Sequence, residues 1–460
     1  MQTNKTLFFE YALLPSGWAK KVRIEIDSFG TISAIQKEMI GSTGDPINAT
    51  VLPGVSNLHC HAHQQAIAGL SEKSSNSNDN FWTWREIMYF YLQKIQPNHL
   101  NAIAEFLYME MLKSGYTSVA EFQYIHHNED GTSYSNPAEM SLATVSAAKR
   151  IGIGMTILPV LYRYSGFGSK PPSDKQQRFI NNADKFIEIF NQLEMHTRAD
   201  NNINIGIAPH SLRAIDNSLL KEVLNGIQKK DLITHIHISE QINEVKECQE
   251  WFSLRPIEWL FENHDINSNW CLIHGTHSNK KELALLAKSK AVLGACPTTE
   301  ANLGDGIFNT LEYLKFGGTI GVGSDSNITV DPFDELRLLE YSQRLQHQKR
   351  NLLAVNPQYS TGRNLFELAI TGGAQAIGRK TGRIEVGYRA DFIVIDTNHP
   401  TLITKEKDAI LDYLIFSKPC AVIKDVYVNG VHVIKSGKHP LETSVIKKYV
   451  QAINALTNRE

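Results

Sequence analysis

The run "NLHCHAHQQ", residues 57–65, sets His59 and His61 two positions apart directly after the apolar, proline-bearing "VLPGV". On an extended backbone, side chains at i and i+2 project from one face, so both imidazoles can reach the same ion. Taken alone, a histidine pair at a strand end is as readily hydrogen-bonded structure as a pair of ligands. Three further segments change that balance. "HIHISE" carries His235 and His237, and Glu240 follows His237 at the strand's mouth. "CLIHGTH" offers His274 and His277, and "GVGSDS" brings Asp325 behind Gly321 and Gly323, which keep the backbone thin. Three histidines with one aspartate form a nitrogen and carboxylate set suited to zinc, and an open position for water makes such a set catalytic rather than structural. Metal binding needs only some of these groups, which leaves Glu240 and His274 as candidates for proton transfer and for polarising a substrate. His63, His126, His127 and His277 read as surface or supporting histidines. "APHSLR" supplies no lysine, so a carbamylated-lysine bridge between two metals is not expected, and a single ion is.

These segments must be positioned by a repeating scaffold. Short β-rich runs begin at Thr50, Tyr116, Ile153, Ile203, Leu232, Trp270, Ala291 and Gly318, each bounded by polar or glycine-containing stretches. Between them lie helical patterns such as "NAIAEFLYMEMLKSG", apolar at helical spacing and closed by glycine. Eight alternating units predict an α/β fold, a parallel (β/α)8 TIM barrel, whose strands are buried on both faces and therefore continuously apolar. A doubly wound open sheet is the competing arrangement. The barrel is favoured because nearly every strand runs into polar, reactive residues at its C-terminal end, where barrel active sites form.

The chain ends read differently. "LFFEYALL", "KVRIEIDSFGTISAIQ" and "VIKDVYVNGVHVIKSGKH" alternate with turn signals such as "DSFG" and "VNG", which predicts a small β-sandwich domain built from both termini. The expected organisation is residues 1–50 and 383–445 in that domain, 51–382 in the barrel and 446–460 in a C-terminal helix. "SEKSSNSNDN" is expected to be a polar loop between the first barrel strand and its helix.

With 460 residues, 42% of them hydrophobic, the chain can bury a large core. Forty-six basic against forty-eight acidic residues leave a formal charge of −2 and no basic stripe, so nucleic acid is a poor partner and a small molecule is expected. Five scattered cysteines without a C-x-x-C pair fit reduced thiols. No run of about eighteen uninterrupted apolar residues occurs, so a cytoplasmic protein without a membrane partner is expected.

The strand-end residues resemble the amidohydrolase superfamily, specifically its mononuclear deaminase branch, with H-x-H after the first strand, H-x-x-E at the fifth, histidine at the sixth and S-D at the eighth. Within that branch the chain resembles, nearly end to end, the formimidoylglutamate deiminases of histidine degradation. "FWTWREIMY", "APHSLRAI" and "CPTTEANLGDGIF" are the selective blocks, because guanine, cytosine and triazine deaminases share the histidines. The resemblance implies His59, His61, His237 and Asp325 as metal ligands, with Glu240 and His274 as acid/base and polarising residues. Asp325 doubles as acceptor of the water proton. It implies Gln64, Arg85, Tyr124, His210 and Arg213 as substrate-binding residues, one Zn2+ per subunit with Fe2+ as the alternative, and a homodimer. Physical chemistry agrees on one point: a dicarboxylate substrate suits two planar guanidinium forks.

The sequence departs from the family pattern at Gln123, where a histidine is usual, at His63, where an aromatic residue is usual, and at Asn327, where "SDSH" is common. None of these removes an expected ligand. A deaminase of a purine or related heterocycle is the alternative function, and a non-catalytic barrel of the same build is a weaker one because every expected ligand is present.

Overall fold

The computed structural model describes residues 4–39, 47–72, 80–417 and 422–457. Residues 73–79, most of the polar loop expected at "SEKSSNSNDN", lie outside the described residues, as does Cys420. The other four cysteines are buried and unpaired with one another.

In chain order the strands are β1 (Lys5–Leu14), β2 (Gly17–Ile26), β3 (Ile32–Gln36), β4 (Ile47–Pro53), β5 (Val55–Cys60), β6 (Tyr116–Gln123), β7 (Gly154–Leu161) and β8 (Ile203–Ile205). There follow β9 (Ala208–Pro209), β10 (Thr234–Ile238), β11 (Trp270–His274), β12 (Val292–Ala295), β13 (Thr319–Val322), β14 (Phe392–Ile395), β15 (Ile423–Val428) and β16 (Val431–Ile434). Two parallel arcs, β5-β6-β7-β8 with β9 beside β7, and β10-β11-β12-β13, face each other. Bridges from Cys60 to Asp325, from Ile207 to Thr234 and from Ser211 to His237 join the arcs edge to edge. The result is a closed (β/α)8 barrel. Its strands β5, β6, β7 and β10 are buried at every position, as a sheet covered on both faces requires.

Both termini build the small domain, whose seven strands run in one hydrogen-bonded path, β16-β15-β14-β4-β1-β2-β3. It encloses a separate apolar core that includes Phe9, Val22, Ile24, Val51, Phe392 and Val394. The "VNG" signal is the β15–β16 hairpin: Asn429 (φ 52°) and Gly430 (φ 70°) both occupy the left-handed region that a two-residue turn of this hand needs.

Two expectations are corrected. The run from Thr50 is not one strand: it is divided at Gly54, with β4 pairing in the small sheet and β5 in the barrel. An apolar stretch carries no mark of which sheet it joins, so the division is invisible in the pattern. The last helix spans Glu442–Thr457, beginning before residue 446. It lies on the barrel helix Pro97–Ser114, with Tyr449 stacked on Phe106 at 4.1 Å and Lys113 bonded to Glu442 at 3.0 Å. Among the described residues no helix is long and apolar enough to cross a membrane.

Candidate metal centre and substrate pocket

Barrel closure itself brings the first and eighth strands together. His61 N donates to Asp325 O at 3.1 Å, and Asp325 N donates to His59 O at 3.0 Å. The approach is so close that a Cβ on Gly323 would stand 2.8 Å from His59 N, which is why only glycine fits there. From the fifth strand His237 N donates to His210 O, locking β10 to the segment after β9. Each of Ser239, His274 and Asp325 has positive φ (52°, 70° and 47°), so three strand ends hold their residues in a conformation that costs energy outside glycine. Strain of this kind persists where surrounding structure enforces a required direction.

His59, His61, His237 and Asp325 each offer one ligand atom, all four lying within 4.8 Å of one another and all buried. His61 Nδ1 donates to Phe122 O at 2.9 Å and His237 Nδ1 to His210 O at 3.0 Å. Those bonds fix the tautomer and turn the Nε2 lone pairs inward, the usual outer support of a ligating histidine. His59 Nε2 stands 3.0 Å from His237 Nε2 and 3.3 Å from Asp325 Oδ1. Lone pairs facing one another at that range repel, and a cation between them converts the repulsion into coordination. Burial pushes the His59 pKa down to about 3 and lowers those of His61 and His237, which keeps the imidazoles neutral as metal binding requires. The residues therefore fit a single divalent ion.

His274 is held from behind. Its Nδ1 lies 3.2 Å from Glu300 Oε1, which also accepts from Cys296 N at 2.9 Å. Its Nε2 faces Asp325 Oδ2 at 3.7 Å and Glu240 Oε1 at 3.9 Å. Burial opposes a charge on His274, but the carboxylates of Glu240, Glu300 and Asp325 outweigh it and raise the pKa to about 10. Burial raises the pKa of Glu240, bringing a carboxyl toward the range in which it can both give and take a proton. Glu244 braces the turn that carries Glu240, accepting from Ser239 N and Glu240 N.

Gln64, Arg85, Tyr124, His210 and Arg213 line one cavity with His61, His237, Glu240, His274 and Asp325. The Arg85 guanidinium lies over Trp82 at 4.5 Å, and that of Arg213 lies over the same ring at 5.5 Å. The Nε of each arginine is buried without a hydrogen-bond partner. Arg213 is 6% exposed. Two cations stacked on one indole, facing a cavity, are arranged for an anionic guest. Tyr124 OH meets His63 Nε2 at 2.7 Å and Gln64 Nε2 at 3.3 Å, which shows what His63 does in place of an aromatic residue.

The remaining histidines separate cleanly. His235 shares a strand face with His237 by the two-residue period but lies two residues earlier and bonds Ala376 O instead of joining the cluster. His126 and His127, open in the sequence between surface and supporting roles, are both buried and hydrogen-bonded, to Val160 O and to Asn181. His277 is half-buried. Asn327 spans the first and eighth strands, donating to His61 O at 2.9 Å and accepting from Ser324 Oγ at 2.7 Å. Both amide atoms of Gln123 are buried without partners. Glu300 and Glu244 were not anticipated. The first stands inside "CPTTEANLGDGIF" and the second four residues after Glu240, but an acid on a helix carries no sequence mark of the atom it will reach.

The chain belongs to the amidohydrolase family, whose model matches residues 50–433. Residues 5–47 match the model described as the formimidoylglutamate deiminase N-terminal domain. The formimidoylglutamate deiminase of Pseudomonas aeruginosa is 45% identical over 98% of this chain and 99% of its own. A 5-methylthioadenosine/S-adenosylhomocysteine deaminase of Bacillus cereus is 29% identical over 84% of this chain and 82% of its own. Among solved structures, an amidohydrolase from Brucella melitensis superposes with a TM-score of 0.94 at 41% identity, covering 98% of this chain and 99% of its own. An adenosine deaminase from Xanthomonas campestris with bound zinc shares the fold at a TM-score of 0.81 and 18% identity, each chain covered to 98%.

Proposed function

We propose that the protein hydrolyses N-formimidoyl-L-glutamate to N-formyl-L-glutamate and ammonia, a step of histidine degradation, with one zinc ion per subunit held by His59, His61, His237 and Asp325. The observation that carries the substrate is the pair of guanidiniums on Trp82 with unpartnered Nε atoms, opposite the four-ligand cluster. A dicarboxylate fills both forks, and a neutral heterocycle leaves buried Arg213 and half-buried Arg85 without an anionic guest.

A divalent ion held there supplies Lewis acidity and an activated water nucleophile. The protein does the rest. Water oxygen forms a bond to the formimidoyl carbon, the bond from that carbon to the terminal nitrogen breaks, and both water hydrogens leave on ammonia. Asp325 takes the first proton and later gives it up, and Glu240 takes the second, so that both reach the departing nitrogen. His274, oriented by Glu300, steadies the attacking oxygen and polarises the carbon. Arg85 and Arg213 hold the two carboxylates, while Gln64, Tyr124 and His210 close the wall nearest the histidines. That ammonia departs, rather than the glutamate amine, follows the reaction named for the Pseudomonas aeruginosa relative.

Ammonia release from formimidoyl-glutamate, formimidoyl-aspartate and guanine, compared at equal enzyme, tests the reading. Turnover of guanine without turnover of either formimidoyl compound would overturn it. Glu240→Gln keeps the side-chain shape and removes the proton carrier, so kcat should fall roughly a hundredfold or more with metal content unchanged. An unaltered kcat would make Glu240 structural. A cytoplasmic homodimer completes the proposal, and sedimentation of the purified protein measures its mass.

A further inference from the structure

Arg178 is fully buried and is the largest side chain so enclosed. Its partners among the described residues are not carboxylates: Nε donates to His127 O at 2.9 Å, Nη1 to Leu92 O and at 3.4 Å to Gln93 O, and Nη2 to Tyr134 OH at 3.4 Å. Leu92 and Gln93 end the helix Phe81–Leu92, which carries Trp82, Arg85 and Tyr89. The guanidinium thus sits on the negative end of that helix, where unsatisfied carbonyls attract a cation. The main chain of Arg178 is tied equally firmly, because its carbonyl accepts from His126 N at 2.9 Å and from His127 N at 3.1 Å. The next residue, Phe179, lines the cavity and packs edge-on against Tyr124 at 5.0 Å. One side chain therefore joins the segments following β5, β6 and β7 behind the wall of the pocket.

From this geometry we propose that Arg178 is the positioning residue for Arg85, setting the depth and angle at which that guanidinium meets a substrate carboxylate. The inference rests on the dicarboxylate reading of the pocket. A buried cation is a costly way to close a loop, and neutral carbonyl and hydroxyl partners do not make it cheap. An apolar side chain could fill the volume, but it could not hold the last carbonyls of one helix and the His127 carbonyl in a single fixed fork. The same helix end has a second, exposed tie, Gln93 Nε2 to Lys175 O at 2.9 Å, to the segment that leads into Arg178. Both ties act on the helix that presents Arg85, and neither touches the cavity or the metal ligands.

The test is steady-state kinetics on the full-length, metal-loaded enzyme with formimidoyl-glutamate. Arg178→Lys keeps the charge and loses the fork, and Gln93→Ala removes the exposed tie without disturbing the core, which keeps the test available if the lysine variant folds poorly. Arg178→Lys should raise KM on the order of tenfold to a hundredfold, with kcat and metal content near wild type, because a displacement of about an ångström at a binding group has effects of this size. Gln93→Ala should shift KM in the same direction by less. In an Arg85→Met background both changes should have almost no further effect on KM, since a residue that acts through Arg85 has nothing left to position. Unchanged KM in the single variants would overturn the proposal, and so would an equal fold-increase with and without Arg85, which is the mark of a general scaffold. If Arg85→Met itself leaves KM unaltered, the dicarboxylate reading fails first and takes this inference with it.

Discussion

His237→Ala and Asp325→Ala are expected to purify with less than stoichiometric metal and to release no measurable ammonia. Each residue supplies one corner of a cluster whose ligand atoms lie within 4.8 Å, and the neighbours cannot replace it. His274 Nε2 stands 3.7 Å from Asp325, but the carboxylates around it raise its pKa to about 10, and a protonated imidazole has no lone pair to offer. Loss of an outer support already lowers metal affinity by about ten- to a hundredfold, so loss of a ligand should exceed that. Metal per subunit by elemental analysis and ammonia release under saturating substrate check both halves. Full metal and normal turnover in both variants would remove these residues from the site. Chelation of the wild type should also abolish turnover, and restoration by zinc or by ferrous iron identifies which ion the cluster prefers.

Much of this centre is legible in the sequence because barrel strands obey simple geometry. His59 and His61 share a face by the two-residue period, His237 stands at the mouth of the fifth strand, and Asp325 follows the glycines that let the eighth strand approach the first. The barrel follows from eight apolar runs, nearly every one ending in reactive residues. What escaped the pattern is set by tertiary approach instead. Nothing in "PTTE" indicates that Glu300 will turn back to His274. Nothing in "QQRF" announces an arginine enclosed by carbonyls from two other segments. The pattern leaves His126 and His127 open between surface and supporting roles, and only the assembled fold shows that each finds an acceptor in the interior. The division of the first apolar run between two sheets depends on which strand edges are free, a property of the assembled fold alone.

The substrate is tested most directly at Arg213. It is 6% exposed, stacked on Trp82, and bears a buried Nε with no partner. Burial opposes its charge, and Glu244 and Glu240 offset that opposition through their fields. Arg213→Met keeps much of the volume and removes the fork, so a substrate carboxylate enters the pocket unpaired, costing about 2–5 kcal/mol. That corresponds to a loss of roughly thirtyfold or more in kcat/KM. The free enzyme should lose some stability, read as a lower melting temperature, because the fields of Glu244 and Glu240 favour the cation in place and its loss leaves those buried carboxylates uncompensated. Metal content should be unchanged, since a guanidinium is not a ligand. The decisive comparison uses an analogue of formimidoyl-glutamate that lacks one carboxylate. If Arg213 pairs with the missing group, the analogue is poor for the wild type and only slightly worse for Arg213→Met, so the two losses do not add. Arg85→Met should show the same non-additivity with the analogue lacking the other carboxylate. Wild-type efficiency toward formimidoyl-glutamate in both arginine variants would empty the pocket of its dicarboxylate and move the heterocycle ahead.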